Sequence, residues 1–513
     1  MRGKGLPGQA SGANRRARCA SSTCTPAAAT TLQAMHTSGP PQHSAASAGA
    51  AHAAPVCDPW LQMQAWQQTW LATADPSGRV RAWQRSQRLA QLIRASADSP
   101  LLARRTPGAR TLRDFAPVGK AELMAGFDDW AVDRRITRAA VDAFTQDPGT
   151  VADAWLGRYL VWTSSGTSGL PGIYVQDAAS LAAYDAIGTL RLRAPDPWQP
   201  PLGMWGLGRR LAYVGALGGP YAGHTSMVRL RRILPAAWAP RIDLVSVLLP
   251  LDEVAARLQA LQPDVLLTYP TCAVALAQMQ AQGGVGLQLR EVWLGGEQLS
   301  AAQRQQVQQA FGAAVRNVYG ASECHSMASE CALGRLHLHD DWVILEPVDE
   351  QARAVPPGQF GHHTLLTNLA NRTQPLLRYQ LGDRVRFVPG ACPCGCPLPV
   401  IEVQGRADDA LVMPAQGGGT VTLLPLALES VLEEGTGITQ FQVLRLRDGT
   451  LELRLDGSAS ARRAAYARCS EVLLAWLARQ RVRAPRLALG DEAPARAPGS
   501  GKLRRVIDLQ HGS

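Results

Sequence analysis

Val161-Trp162-Thr163-Ser164-Ser165-Gly166-Thr167-Ser168-Gly169-Leu170-Pro171-Gly172 crowds five hydroxyl side chains and three glycines between two apolar runs. Leu160-Val161-Trp162 leads in, and Ile173-Tyr174-Val175 leads out with strand character. The segment reads as strand, loop, strand. Glycines let the main chain come close to a ligand, and successive backbone N–H groups with neighbouring hydroxyls form a concavity suited to a polyphosphate. The spacing is not G-x-x-x-x-G-K-[ST], which excludes a Walker-type NTPase. A Ser/Thr/Gly run by itself is commonly only a surface turn, so its meaning depends on partners elsewhere in the chain.

Downstream, strand and helix alternate. The patterning predicts helix over Asp252 to Leu261, a buried strand at Val265 to Thr268, and helix over Cys272 to Gln280. A strand at Glu291 to Leu294, helix from the N-cap Ser300 to Phe311, and a strand at Val315 to Val318 follow. This alternation predicts a large α/β domain with a parallel sheet and flanking helices. Ligands of such sheets sit at the carboxyl ends of the strands. Gly295-Gly296-Glu297 and Tyr319-Gly320-Ala321-Ser322-Glu323 each follow a strand and are expected to face one crevice. Upstream, helices are expected over Trp60 to Ala72, Arg79 to Ala95 and around Arg135 to Phe144, and after the loop over Ala178 to Leu192. Leu202 to His224, rich in Gly, Tyr and Trp, reads either as irregular chain lining a cavity or as loosely packed core. Beyond Gly405 the texture changes: Gln442–Leu446 and Leu451–Leu455 alternate about Asp448-Gly449, a hairpin signal, and Ala459 to Gln480 is an amphipathic helix. The expected organisation is a disordered extension (1–57), a large α/β domain (58–405) and a small mobile α+β domain (406–513).

Composition narrows the function. The 513 residues are 46% hydrophobic and 18% charged, and no apolar run reaches the length of a bilayer span. The net charge of +11 is inflated by an acid-free N-terminus that holds Arg2, Lys4, Arg15, Arg16 and Arg18. With no basic stripe interleaved with aromatics, nucleic acid is not an expected partner. Residues 1–57 cannot bury a core and read as disorder or as residues ahead of the true start, with a likeness to a transit peptide. Ten cysteines in so long a chain are not a disulfide framework, and Cys324/Cys331 and Cys392/Cys394/Cys396 are grouped, which suits a reducing cytoplasm and a metal site. Lysine is scarce: Lys4, Lys120 and Lys502 are the only three.

The ordered motifs are the hydroxyl-rich loop, Gly295-Gly296-Glu297, Tyr319-Gly-Ala-Ser-Glu323, Arg378-Tyr-Gln-Leu-Gly-Asp383, Gly405-Arg-Ala-Asp-Asp409 and Gly501-Lys-Leu-Arg-Arg505. In this order they resemble the adenylate-forming superfamily, and within it the phenylacetate–coenzyme A ligase branch, which includes coenzyme F390 synthetase-like proteins. Ser99-Pro-Leu-Leu-Ala-Arg-Arg105 and Pro117-Val-Gly-Lys-Ala-Glu-Leu-Met124 are similar to that branch too. The resemblance implies ATP, Mg²⁺ and coenzyme A as reactants and a small carboxylic acid as substrate. It implies that Ser164, Ser165, Gly166, Thr167, Ser168 and Gly169 hold the phosphates and that Glu323 binds Mg²⁺. Gly296, Glu297, Tyr319 and Gly320 would frame the adenine, Asp383 the ribose, and Arg406 the ribose or phosphate end. Asp408 would be a hinge about which the small domain turns to present Lys502 as the catalytic lysine.

Further implications concern departures and metal. The family loop commonly carries a lysine after its proline; here Gly172 stands there, so that contact is either lost or supplied by an arginine such as Arg378. Leu381 stands where threonine is usual beside Asp383. The resemblance also implies a structural Zn²⁺ on Cys331, His337, Cys392 and Cys394, a closed N/S set, with Cys396, Cys324, His325 and His339 as substitutes. The stretch from Tyr213 to His224 is the expected acid pocket. Coenzyme A is the expected acyl acceptor, with adenylyl transfer or delivery to a carrier protein as the alternative, and a non-catalytic nucleotide-binding protein as the alternative of another class. A homodimer is a further expectation.

Overall fold

The computed structural model describes residues 54–164, 171–192, 209–234, 241–404, 411–438, 440–495 and 504–510. These all lie in one compact unit. Its centre is a nine-stranded mixed sheet. Five parallel strands form one side, in the spatial order Ile242–Ser246, Leu211–Gly215, Val265–Thr268, Glu291–Gly295 and Ala314–Ala321. Four antiparallel strands continue it: Cys324–Glu330, Leu336–Leu338, Val400–Gln404 and Arg384–Phe387.

Three of the five parallel strands, Val265–Thr268, Glu291–Gly295 and Ala314–Ala321, follow the expected alternation; Ile242–Ser246 and Leu211–Gly215 were not anticipated. The crossover helices of this half are Leu251–Leu261, Pro270–Ala281 and Ala301–Phe311. The last shows why local sequence suffices for some elements. Ser300 Oγ accepts from the Gln303 N–H at 3.1 Å, and Gln303 Oε1 accepts from the Ser300 N–H at 2.9 Å, a reciprocal cap. Gly312 ends the helix in the left-handed region at φ 62°. The upstream helices run Pro59–Ala74, Arg79–Ser96, Arg138–Thr145 and Ala178–Leu190.

Two expectations change. The sheet is mixed, because the strand that carries Tyr319 turns back through Ser322-Glu323 into Cys324–Glu330. The stretch expected to be irregular contains a fully buried strand, Leu211–Gly215, and the start of a helix, Ala222–Ile233; residues 202–208 lie outside the described residues. Glycine and tyrosine disguised the strand, whose pairing with two parallel neighbours outweighs weak local preference.

The hydroxyl-rich loop hangs from an antiparallel pair, Leu160–Thr163 and Ile173–Gln176, with Thr163 opposite Ile173. A three-stranded antiparallel sheet, Val343–Val348, His363–Asn368 and Leu376–Leu381, lies in the same half of the molecule. Trp130, Trp162 and Tyr159 anchor the core there. After residue 410 come a two-stranded pair, Leu411–Pro414 with Thr420–Leu423, and a four-stranded sheet holding the expected hairpin, Phe441–Arg445 with Leu451–Leu455. Helices Pro425–Thr436 and Ala459–Arg479 complete this part. It is docked on the parallel half: Trp476 Nε1 and Gln480 Nε2 both donate to the Leu248 carbonyl, at 3.3 and 2.9 Å, and Arg481 pairs with Asp252 at 2.6 Å. Among the described residues no helix is long and apolar enough to cross a membrane.

Candidate functional site

Glu323 sits in the tight turn between two antiparallel strands, with its carboxylate directed at two tyrosines. Tyr174, on the strand leaving the loop, and Tyr379, on Leu376–Leu381, each donate a hydroxyl to Glu323 Oε1 at 2.8 Å. Burial and the neighbouring carboxylate push both phenols well above their usual range, so both remain donors at neutral pH. Asn368 Nδ2 holds the Glu323 main-chain carbonyl at 2.9 Å. The second carboxylate oxygen, Oε2, accepts no hydrogen bond among the described residues. One oxygen fixed and one open is a donor arrangement that fits a hard divalent cation carrying its own waters and phosphate ligands.

The hydroxyl-rich loop begins beside this acid. Ser164 N donates to the Gly172 carbonyl at 2.8 Å, and Gly172 N returns a bond to Ser164 Oγ at 2.9 Å, pinning the loop's two ends. Lys120 Nζ donates to the same Ser164 Oγ at 2.8 Å. A Cβ added at Gly172 would stand 2.6 Å from the Tyr174 hydroxyl and 2.9 Å from Lys120 Cε, so the missing side chain at 172 is what admits this lysine. Arg378 is elsewhere: it pairs with Glu346 at 3.3 Å and donates to the Phe115 carbonyl at 2.9 Å. Among the described residues, the cation beside Ser164 is Lys120 and not Arg378. Ser165, Gly166, Thr167, Ser168 and Gly169 lie outside the described residues, as do Arg406, Asp408 and Lys502.

Tyr319 donates to Asp383 Oδ2 at 3.0 Å, which joins the two motifs that carry them. Gly296 adopts φ 81°, with the Tyr269 ring 3.1 Å from where a Cβ would be, a position that glycine alone fills without strain. The Glu297 carboxylate accepts from Thr271 N and Thr271 Oγ1, both at 2.9 Å, and so caps the helix Pro270–Ala281. Ser164, Lys120, Glu323, Gly296, Gly320 and Asp383 all line one cavity of about 740 Å³. Gly296, Gly320, Asp383, Glu297 and Tyr319 also line an adjoining cavity of about 970 Å³ that reaches toward Pro425 and Glu429. Tyr213, Tyr221, Ala222 and Gly223 wall the first cavity, so the Tyr213 to His224 stretch does border the site.

The thiol cluster is also formed. Ligand atoms of Cys331, His337, Cys392 and Cys394 all lie within 4.8 Å of one another. Cys331 Sγ is 4.0 Å from Cys392 Sγ, and Cys394 Sγ is 3.4 Å from His337 Nε2. His337 Nδ1 faces the Leu398 carbonyl at 2.9 Å, which leaves Nε2 for a metal. The donor set and its spread fit tetrahedral zinc. Cys324, His325 and His339 take no part: Cys324 and His325 face Tyr184, and His339 is buried beside Arg191 and Asp341.

No protein-family model matches the chain. Its sequence is 30% identical over 281 residues to a phenylacetate–coenzyme A ligase of Thermus thermophilus, covering 49% of this chain and 62% of that protein. It is 26% identical over 205 residues to the enzyme of that name from Pseudomonas putida, covering 37% and 44%. The chain therefore spans less than two thirds of the length of these curated relatives. A solved 2-hydroxyisobutyryl-CoA ligase, in complex with 2-HIB-AMP and CoA, superposes with a TM-score of 0.52 over 85% of this chain and 91% of its own, at 20% identity. This chain has the fold of that CoA ligase. Its sequence relatives are phenylacetate–coenzyme A ligases.

Little in the sequence marks Lys120, Tyr174 and Tyr379 as a group. Their signal was the scarcity of lysine and the tyrosine within Arg378-Tyr-Gln-Leu-Gly-Asp383.

Proposed function

We propose that the chain is an AMP-forming acid–thiol ligase that activates a small carboxylic acid with ATP and passes the acyl group to coenzyme A. The observation that carries this is the shared cavity, which Ser164, Lys120, Glu323, Asp383 and Gly296 all line. In the first step a carboxylate oxygen attacks the α-phosphorus of ATP. The bond to pyrophosphate breaks and an acyl-adenylate forms. In the second step the thiolate of coenzyme A attacks the acyl carbon and AMP leaves. Each step develops negative charge that the protein must hold with donors already in place.

Glu323, with one oxygen locked by Tyr174 and Tyr379, would offer the other to Mg²⁺, which when bound would offset charge on the phosphates. Lys120 would take a pyrophosphate oxygen together with Ser164 and the loop residues 165–169. Asp383, oriented by the Tyr319 hydroxyl, would accept from the ribose hydroxyls. Main chain at Gly296 and Gly320 would border the adenine, with Glu297 holding that loop onto its helix. Lys502 and Arg406 would act at the carboxylate and phosphate, and residues after 405 would form a lid that turns about Asp408 between the two steps. Cys331, His337, Cys392 and Cys394 would hold a structural zinc.

Carboxylate-dependent exchange of labelled pyrophosphate into ATP tests the first step across a panel of aryl and fatty acids. Exchange is expected with at least one acid, with Lys120→Met lowering it by about tenfold or more, as loss of a charge-assisted hydrogen bond implies. A well-folded protein that exchanges with no acid would be a non-catalytic nucleotide binder. Product analysis with and without coenzyme A separates thioester formation from adenylyl transfer or carrier loading.

A further inference from the structure

Away from Glu323 the 740 Å³ cavity has an apolar body, walled by Leu181, Leu192, Met227, Leu230 and Leu267. The polar groups around it are mostly answered. Asp185 is bound by Arg229 through two 3.0 Å contacts and by Gln62 Nε2 at 3.0 Å. The Tyr184 hydroxyl accepts from Asn368 Nδ2 at 2.9 Å. Two lining side chains stand apart: Ser326, whose buried Oγ has no partner among the described residues, and His325. His325 lines the cavity, and neither of its ring nitrogens makes a hydrogen bond among the described residues. Its orientation is nonetheless fixed. The ring lies 5.6 Å from Trp162 at 43° and 5.8 Å from Tyr184 at 73°. An imidazole offers a hydrogen-bond donor and, when uncharged, an acceptor as well. A held polar ring that lines an apolar chamber without a protein partner among the described residues is open to a hydrogen bond from a ligand.

We propose that His325 is the specificity-determining residue of the acyl chamber, selecting carboxylic acids that carry a neutral hydrogen-bonding substituent, a hydroxyl above all, over their hydrocarbon counterparts. This rests on reading the cavity as the site of an acid-activating ligase. The substituent is taken to be neutral because Asp185, in the same cavity wall, is already paired with Arg229 and calls for no charged group. Selection follows because a site that hydrogen-bonds a hydroxyl rejects the analogue lacking it far more strongly than an apolar pocket rejects an added hydroxyl.

The test is pyrophosphate exchange with phenylacetate and hexanoate, each beside its hydroxylated counterparts, in the wild type, His325→Phe and His325→Gln. Thermal melting confirms that each protein is folded. In the wild type kcat/KM for at least one hydroxylated acid is expected to exceed that of its parent by about tenfold or more, mainly through KM. His325→Phe should bring the ratio near one, and His325→Gln should keep part of it. Exchange that favours the parent acids in the wild type, or a preference that His325→Phe leaves unchanged, overturns the assignment of His325 alone. Absence of exchange with every acid in folded wild type overturns the ligase reading itself, and this inference with it.

Discussion

Two tyrosine hydroxyls on a single carboxylate oxygen constrain Glu323 in the cavity. Each bond goes to a charged acceptor, so Tyr174→Phe or Tyr379→Phe is expected to lower exchange by roughly tenfold. The two share one oxygen, so the double variant should fall short of the product of the singles, which steady-state kinetics would reveal. If both single variants keep wild-type rates, Glu323 is not positioned by them. His325 carries a second prediction at this scale, on stability. Its folded pKa of about 4 lies below the value of about 6.5 for an unfolded histidine, so between those limits the unfolded chain binds more protons. The neutral ring's contribution is complete above pH 6.5 and is lost as pH falls toward 4. His325→Gln should therefore flatten that part of the curve of Tm against pH. Parallel curves for the two proteins would mean that the ring is not held neutral by the fold.

At the scale of elements, the decisive unit is the hairpin from Ala314–Ala321 into Cys324–Glu330, which aims Glu323 and His325 into the cavity. Its register shifts between Tyr319 and Ala321, and Gly320 occupies that irregularity. A Cβ there would run into the His325 carbonyl, which is backbone and cannot step aside. Gly320→Ala is expected to cost about 2 kcal/mol or more, read as a lower denaturation midpoint, and to reduce exchange as Glu323 shifts. Unchanged stability would show that the turn has room. The parallel strands and their helices were legible because caps, turn glycines and apolar runs act locally, as at Ser300, Gly312 and Val265–Thr268. The strand Leu211–Gly215 was not. Its five residues are buried by neighbours in space, and a run of Leu-Ala-Tyr-Val-Gly bordered by glycines has no clear period of its own.

For the molecule as a whole, the thiol cluster makes a prediction independent of catalysis. Purified protein is expected to contain one equivalent of zinc per chain, and Cys392→Ser should lower both zinc content and Tm. Elemental analysis well under one equivalent would defeat the site. The chain after residue 410 is held to the rest by Trp476, Gln480 and Arg481, by the Tyr221–Glu434 hydrogen bond and by a shared apolar cluster, so a lid movement in the proposed cycle must break those contacts.

The sequence by itself determined the order of the motifs, the alternation from Leu251 to Val318 and the hairpin near the end, because residue type and short-range spacing carry that information; the four zinc-compatible side chains came from the family resemblance. Tertiary structure alone decided which groups meet. Lys120 reaches Ser164 across 44 residues, and Tyr174 reaches Glu323 across 149. Arg378 is drawn away to Glu346, and His325 belongs to the cavity and not to the metal cluster. Such meetings depend on how strands cross and which side chains a fold leaves room for, and no local pattern in the chain encodes either.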